Sequence, residues 1–227
     1  MIKHILKSKT FVLFVTLGLT VISCTEKKAE KALPYLGNYD LEYKLVDGKE
    51  VVDTIYPTIP FFYFRNQDSI IVKSTQLKGK VWIADFFFTT CSTICPGMTR
   101  KMKELNESTE DLKDHVQFIS FSINPRFDKP SVLKRYIEHY KLNTDNWVFL
   151  TGDETETHRL GMENFMIAAN SNADATDGFE HSEAFTLVDK KGYVRGVYNV
   201  GQEREFKRLE KDLRKLLKVE YGVDGSE

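Results

Sequence analysis

Apolar and polar positions alternate from Tyr39 to Val46, pause at Asp47-Gly48, and alternate again from Lys49 to Tyr56. Alternation is the strand period, and Asp-Gly is a two-residue hairpin signal. The pattern predicts a small β-hairpin set ahead of the main domain. Ile70 to Val72 and Val81 to Phe88 then read as strands around a Lys78-Gly79-Lys80 turn. The second is almost uniformly apolar (Val-Trp-Ile-Ala-Asp-Phe-Phe-Phe), as a central strand covered on both faces is.

The period then changes to that of a helix. Met98, Met102 and Leu105 recur at i, i+4 and i+7, which predicts a helix from Pro96 to about Glu107 with proline in its first turn. Val116 to Ile123 is a further apolar strand. Val132, Leu133, Tyr136, Ile137 and Tyr140 mark one face of a helix beginning near Pro130. Val148 to Leu150 is a short strand, and Asp153 is the expected N-cap of a helix reaching about Phe165. A polar loop follows from Asn170 to Gly178. Ala184 to Val188 and Val194 to Val200 flank Asp189-Lys-Lys-Gly192 as a hairpin, and Arg204 to about Tyr221 closes the chain as a helix. Its buried side carries Phe206, Leu209, Leu213, Leu216 and Leu217. The succession is that of an α/β fold with a mixed central sheet flanked by helices, extended at its N-terminus by the β-hairpin.

The first residues follow a different pattern. Lys3, Lys7 and Lys9 precede an apolar run from Phe11 to Ile22, too short to span a bilayer, which takes about 20 apolar residues. Residues 1–23 therefore read as a signal peptide. It ends in Val21-Ile22-Ser23-Cys24, which resembles a bacterial lipobox, so Cys24 is expected to carry lipid and become the mature first residue. Residues 24–34 form a tether, 35–222 one domain, and 223–227 a short tail. Acyl chains on Cys24 would hold the domain to a bacterial membrane, facing the periplasm or the cell exterior.

Composition adds little. With 32 basic and 33 acidic residues in 227, the net charge of -1 gives no electrostatic reason to expect a nucleic-acid partner. The cysteine count does matter. Three is odd for an exported protein, but lipid on Cys24 leaves Cys91 and Cys95 as a pair. Cys91-Ser-Thr-Ile-Cys95 sits where a buried strand passes into a helix N-terminus. Unpaired N–H groups and the helix dipole there favour a thiolate, which is both nucleophile and metal ligand. A structural disulfide is the plainer alternative. Metal binding would call for a third ligand, and His115, His139, His158 and His181 are the candidates. His115 precedes a strand, while His139 and His158 lie on helices among charged neighbours and are expected to be solvated. His181 follows the polar loop, though position alone favours an ordinary surface histidine. Met98 and Met102 are soft donors, but their helical spacing makes them core residues.

Three stretches together resemble the Sco/SenC family of copper-handling proteins of thioredoxin-like fold. They are Gly79 to Met98 with its CxxxCP element, Ser120 to Pro130, and Gly178 to Gly192 with its His-Ser before a strand ending Leu-Val-Asp. The likeness runs from about Pro57 to the C-terminal helix. It implies that Cys91, Cys95 and His181 bind copper, as Cu(I) with Cu(II) also admitted. It implies a partner in the copper-accepting subunit of a cytochrome c oxidase, served by an upstream copper donor or thiol reductant. Two thiolates and an imidazole are a soft, low-coordinate set that suits Cu(I). The chain departs from the family where Ser92 and Thr93 replace proline and an acidic residue, and where Asn124 replaces the first of two aspartates, leaving Asp128. Both changes remove negative charge near the site and leave all three ligands in place.

Two functions compete on these residues. One is a metallochaperone that passes Cu(I) by ligand exchange. The other is a thiol–disulfide oxidoreductase in which one cysteine attacks and the other resolves the mixed disulfide. A thiol peroxidase fits less well, because no proline–threonine–cysteine motif is present, and a Cys2His zinc site lacks an evident acid/base partner.

Overall fold

The computed structural model describes residues 31–171 and 179–225. The expected signal peptide, Cys24 and the first part of the tether lie outside the described residues, as does most of the loop before Phe179.

β1 (Asp40–Val46) and β2 (Lys49–Ile55) pair antiparallel in the register set by the Asp47-Gly48 turn, with Val46 opposite Lys49 and Asp40 opposite Ile55. Both turn residues have positive φ, 52° and 75°, the geometry a two-residue turn of this kind requires. β3 (Tyr63–Asn66) and β4 (Ile71–Lys73) form a second short hairpin. β3 was not legible in the sequence, because Pro60-Phe-Phe-Tyr-Phe64 has no alternation. Phe62 and Phe64 turn inward while Phe61 and Tyr63 stay exposed.

β5 (Val81–Phe87) is buried at every position. It pairs parallel with β6 (Val116–Ser122), which pairs parallel with β7 (Trp147–Thr151). The crossovers are α1 (Cys95–Ser108) and α2 (Pro130–Tyr140), each with proline at its start. α3 (Glu154–Arg159) begins as expected at Asp153, whose carboxylate accepts the Glu156 N–H at 2.8 Å. It then widens into a π-turn over Leu160–Asn164 rather than continuing regularly to Phe165.

β8 (Ala169–Ser171) and β9 (Phe179–His181) frame the polar loop as an antiparallel pair. β10 (Ala184–Val188) and β11 (Val194–Asn199) form the last hairpin, and α4 (Glu203–Tyr221) closes the domain. The main sheet has the order β11-β10-β5-β6-β7-β3-β4, mixed as expected, with β5, β6 and β7 parallel at its centre.

Aromatic side chains fill the core. Phe86 stacks on Phe121 at 5.0 Å, and Phe62 and Phe64 meet Phe121 edge-on. Each fully buried ring of this size stabilises the fold by roughly 1.5–3 kcal/mol. The two tryptophans are buried with their N–H groups satisfied: Trp82 donates to the Leu77 carbonyl at 2.7 Å and Trp147 to the Ser120 hydroxyl at 2.9 Å.

The chain just ahead of residue 35 is packed against the sheet. Leu33 is buried, and Arg195, itself buried on β11, donates to the carbonyls of Leu33 and Pro34. The same guanidinium pairs with Asp189 at 2.9 Å and Glu220 at 2.5 Å and lies over the Tyr35 ring. One side chain thus joins the start of the domain, the β10–β11 turn and the end of α4.

Candidate metal and thiol site

The thiol pair is positioned by the core beneath it. β5 is driven through the sheet by its apolar side chains, Phe88 is still buried, and the chain emerges through Thr89-Thr90-Cys91. That loop is held by Asp128, wholly buried between β6 and α2. Its carboxylate accepts the Thr89 N–H at 3.1 Å, the Thr89 hydroxyl, and the Ser122 hydroxyl at 2.6 Å. Burial pushes the Asp128 carboxyl above its ordinary value, while the bonds from Ser122 and Thr89 pull it back. Asp128→Ala leaves those donors without an acceptor and should cost about 2 kcal/mol. Chemical denaturation reads the loss, and faster alkylation of Cys91 reads the loosened loop.

α1 starts at Cys95, one residue before the expected Pro96, and Ile94 gives it no side-chain cap. The Cys95 N–H instead points at the Cys91 sulfur, 3.5 Å away. Cys91 therefore takes the place of a capping oxygen, where the helix N-terminus favours its thiolate. The Thr93 hydroxyl lies 3.5 Å from the same sulfur. The i, i+4 spacing is thus used differently from two positions on one helical turn: Cys91 lies in the loop and Cys95 in the first turn.

The two cysteines differ in environment. Cys91 is 6% exposed and Cys95 only 1%. The hydrogen bond with Cys91 and then burial push the Cys95 thiol far above its ordinary value, and the charge of Asp85 adds to the effect. Asp85 is the single charged residue of buried β5, and its field also reaches the buried Tyr136 hydroxyl, which hydrogen-bonds Thr99 at 2.5 Å. Asp85, Thr89 and Ser122 are parts of the site that the sequence reading passed over. Only Asp85 left a trace there, as a charge inside an apolar strand.

His181 ends β9, with its backbone paired to Ala169. Its side chain lies outside the described structure. β10 follows three residues later and runs antiparallel to β5, with Thr186 opposite Ala84. The His181 end of that segment is therefore the end from which the cysteine loop leaves the sheet. A cavity of about 430 Å³ there is lined by Gly97, Met98 and Arg100 of α1 and by Glu183 and Val200 across from them. Among the described residues no three acidic, histidine or cysteine side chains cluster as a metal site.

His115 and His139 lie away from the cysteine loop. His115 stands just before β6, at the opposite end of the parallel strands, and His139 is exposed near the end of α2. His158, expected in solvent, is half-buried, with Nε2 2.9 Å from the Ile123 carbonyl. Met98 and Met102 are buried core residues, as their spacing implied.

Fold and site define a thioredoxin-like protein with a dithiol at a strand-to-helix junction. The chain belongs to the SCO1/SenC family, whose model matches residues 55–218. A SCO1 protein homolog of Bacillus subtilis is 39% identical over 153 residues, 67% of this chain and 79% of that protein. Among solved structures, a SCO1/SenC family lipoprotein from Bacillus anthracis is 35% identical, with a TM-score of 0.63 over 70% of this chain and 94% of that one. BsSco, a member of the Sco family of cytochrome c oxidase assembly proteins in which a disulfide switch is identified, is 36% identical. Its TM-score is 0.62, over 70% of this chain and 92% of that one.

Proposed function

We propose that this protein is a copper(I) metallochaperone serving the binuclear copper site of a cytochrome c oxidase, tethered to its membrane by lipid on Cys24. The observation that carries this reading is the arrangement of Cys91 and Cys95: two sulfurs at one helix start, beside the end of the sheet where the His181 segment enters. Two thiolates and one imidazole form a low-coordinate soft site for which Cu(I) is the matching ion. Binding Cu(I) displaces the thiol protons. Delivery is ligand exchange: a partner thiolate or imidazole bonds to the copper as one of these ligands leaves, with no change of oxidation state.

A second reading rests on the asymmetry of the pair. The outer, cap-placed Cys91 is built to attack a disulfide, and the inner Cys95 to resolve the mixed disulfide that results. A partner disulfide would leave reduced and Cys91–Cys95 would leave oxidised. The disulfide switch identified in BsSco favours keeping this activity beside copper binding.

Titrating Cu(I) into the reduced chain against a competing chelator separates the two readings. One tightly held copper per chain, and none after oxidation of the pair, is the result for a chaperone. No copper uptake together with rapid exchange against a small disulfide would leave the oxidoreductase.

A further inference from the structure

All the strand residues of the β1–β2 hairpin are exposed. Its register sorts them into two unlike faces. Leu41, Tyr43 and Leu45 share one face with Thr54, Val52 and, at the tip, Glu50 opposite them, while Asp40, Glu42, Lys44, Lys49 and Asp53 lie on the other together with Val46, Val51 and Ile55. The charged face satisfies itself, with Lys44 2.8 Å from Glu42 and 3.4 Å from Asp53. The apolar face does not: Tyr43 is 63% and Leu45 80% exposed. A two-stranded ribbon is marginal in water by itself, and a bare apolar ribbon invites association.

The position of the hairpin in the fold says what meets it. At its base Tyr39 packs against Tyr56, which stacks on Tyr35, and Tyr35 meets Tyr193, in the β10–β11 connection, edge-on. Val188 of β10 lies opposite Trp82, so this connection sits at the start of β5, while the cysteine pair follows its end. The hairpin and the thiols thus occupy opposite poles, separated by the length of a seven-residue strand, roughly 23 Å. Arg195 fixes the incoming chain, at Leu33 and Pro34, to the hairpin's pole. Cys24 stands seven positions before Lys31, a reach of at most about 25 Å.

We infer that the apolar face of this hairpin rests in the surface of an electrically neutral phospholipid bilayer, so that the membrane covers one pole and the thiol pair points away from it. The inference rests on the proposed lipid anchor at Cys24, which holds this pole within reach of the bilayer. Tyrosines with leucine and valine are the side chains that settle at a headgroup boundary. From Tyr39 to Tyr56 the hairpin carries Asp40, Glu42, Asp47, Glu50 and Asp53 against Lys44 and Lys49, so anionic lipid repels it.

The test places a reporter at the exposed tip. The full, lipidated chain carrying L45W is bound to phosphatidylcholine vesicles with brominated acyl chains. Trp82 and Trp147 are buried and supply a steady background. The introduced indole should shift its emission to shorter wavelength and lose at least half its intensity to the bromines, whereas V51W, on the charged face, should stay open to aqueous acrylamide. In vesicles half composed of phosphatidylglycerol at low salt the quenching of L45W should weaken, and added salt should restore it. The inference is overturned if L45W stays open to acrylamide and untouched by bromine while the chain floats with the vesicles. It is equally overturned if the shift grows with protein concentration at fixed lipid, because a second copy is then the cover. The anchor is tested apart from this by C24A: a C24A chain that floats like the unaltered one refutes the anchor, whatever L45W reports.

Discussion

Cys91→Ser and Cys95→Ser should each lower Cu(I) affinity on the order of 10³-fold, about 4 kcal/mol, because an alcohol offers a hard, protonated oxygen where the ion needs a thiolate. The two variants should differ in every other respect. Cys91→Ser removes the sulfur that receives the Cys95 N–H and should abolish attack on disulfides. Cys95→Ser keeps that attacking sulfur and removes the resolving one, so a mixed disulfide with a small substrate should accumulate and be visible by mass. Equal behaviour of the two variants in the exchange assay would show that burial does not rank the thiols as their exposures of 6% and 1% imply.

The largest expected stability effect lies at the other pole. Arg195→Ala leaves Asp189, which is buried, and Glu220 without their cation and the Leu33 and Pro34 carbonyls without a donor. Breaking a buried pair from one side costs about 3–5 kcal/mol. For a domain of this size that corresponds to a fall in Tm of about 10 °C. Copper affinity, measured below the new transition, should be unchanged, because Arg195 lies at the far end of the sheet from the thiols. Calorimetry and chelator competition on one sample check both halves. A stable variant would mean that the guanidinium does not join the N-terminal segment to the sheet.

What the sequence revealed follows the range of the forces involved. The hairpin, β5, β6, α1, α2 and α4 were legible because apolar periodicity and turn residues act over a few positions. β3 was not, since four aromatics in five residues carry no period and only the sheet decides which of Phe61 to Phe64 turn inward. α3 gives way to a π-turn at Leu160, and there Gly161 fits against Phe86 and Ala169 with no room for a side chain. At the site, Cys91 and Cys95 were marked by type and spacing, whereas the clamp of Asp128 on Thr89, 39 positions away, is a tertiary fact. His158 was misjudged for the same reason. Its charged neighbours in sequence suggested solvent, and the fold set it against the Ile123 carbonyl. His181 was reached through family likeness, with the strand register adding only that its segment enters at the right end of the sheet.

The three-ligand copper site is tested most directly by comparing the reduced chain with its His181→Ala variant in a Cu(I) competition titration, alongside the reduction potential of the thiol pair. Loss of one ligand of three should weaken copper binding by at least tenfold, at least about 1.4 kcal/mol, while the Cys91–Cys95 potential stays within a few millivolts of the unaltered protein. An unchanged copper affinity in His181→Ala would contradict the site.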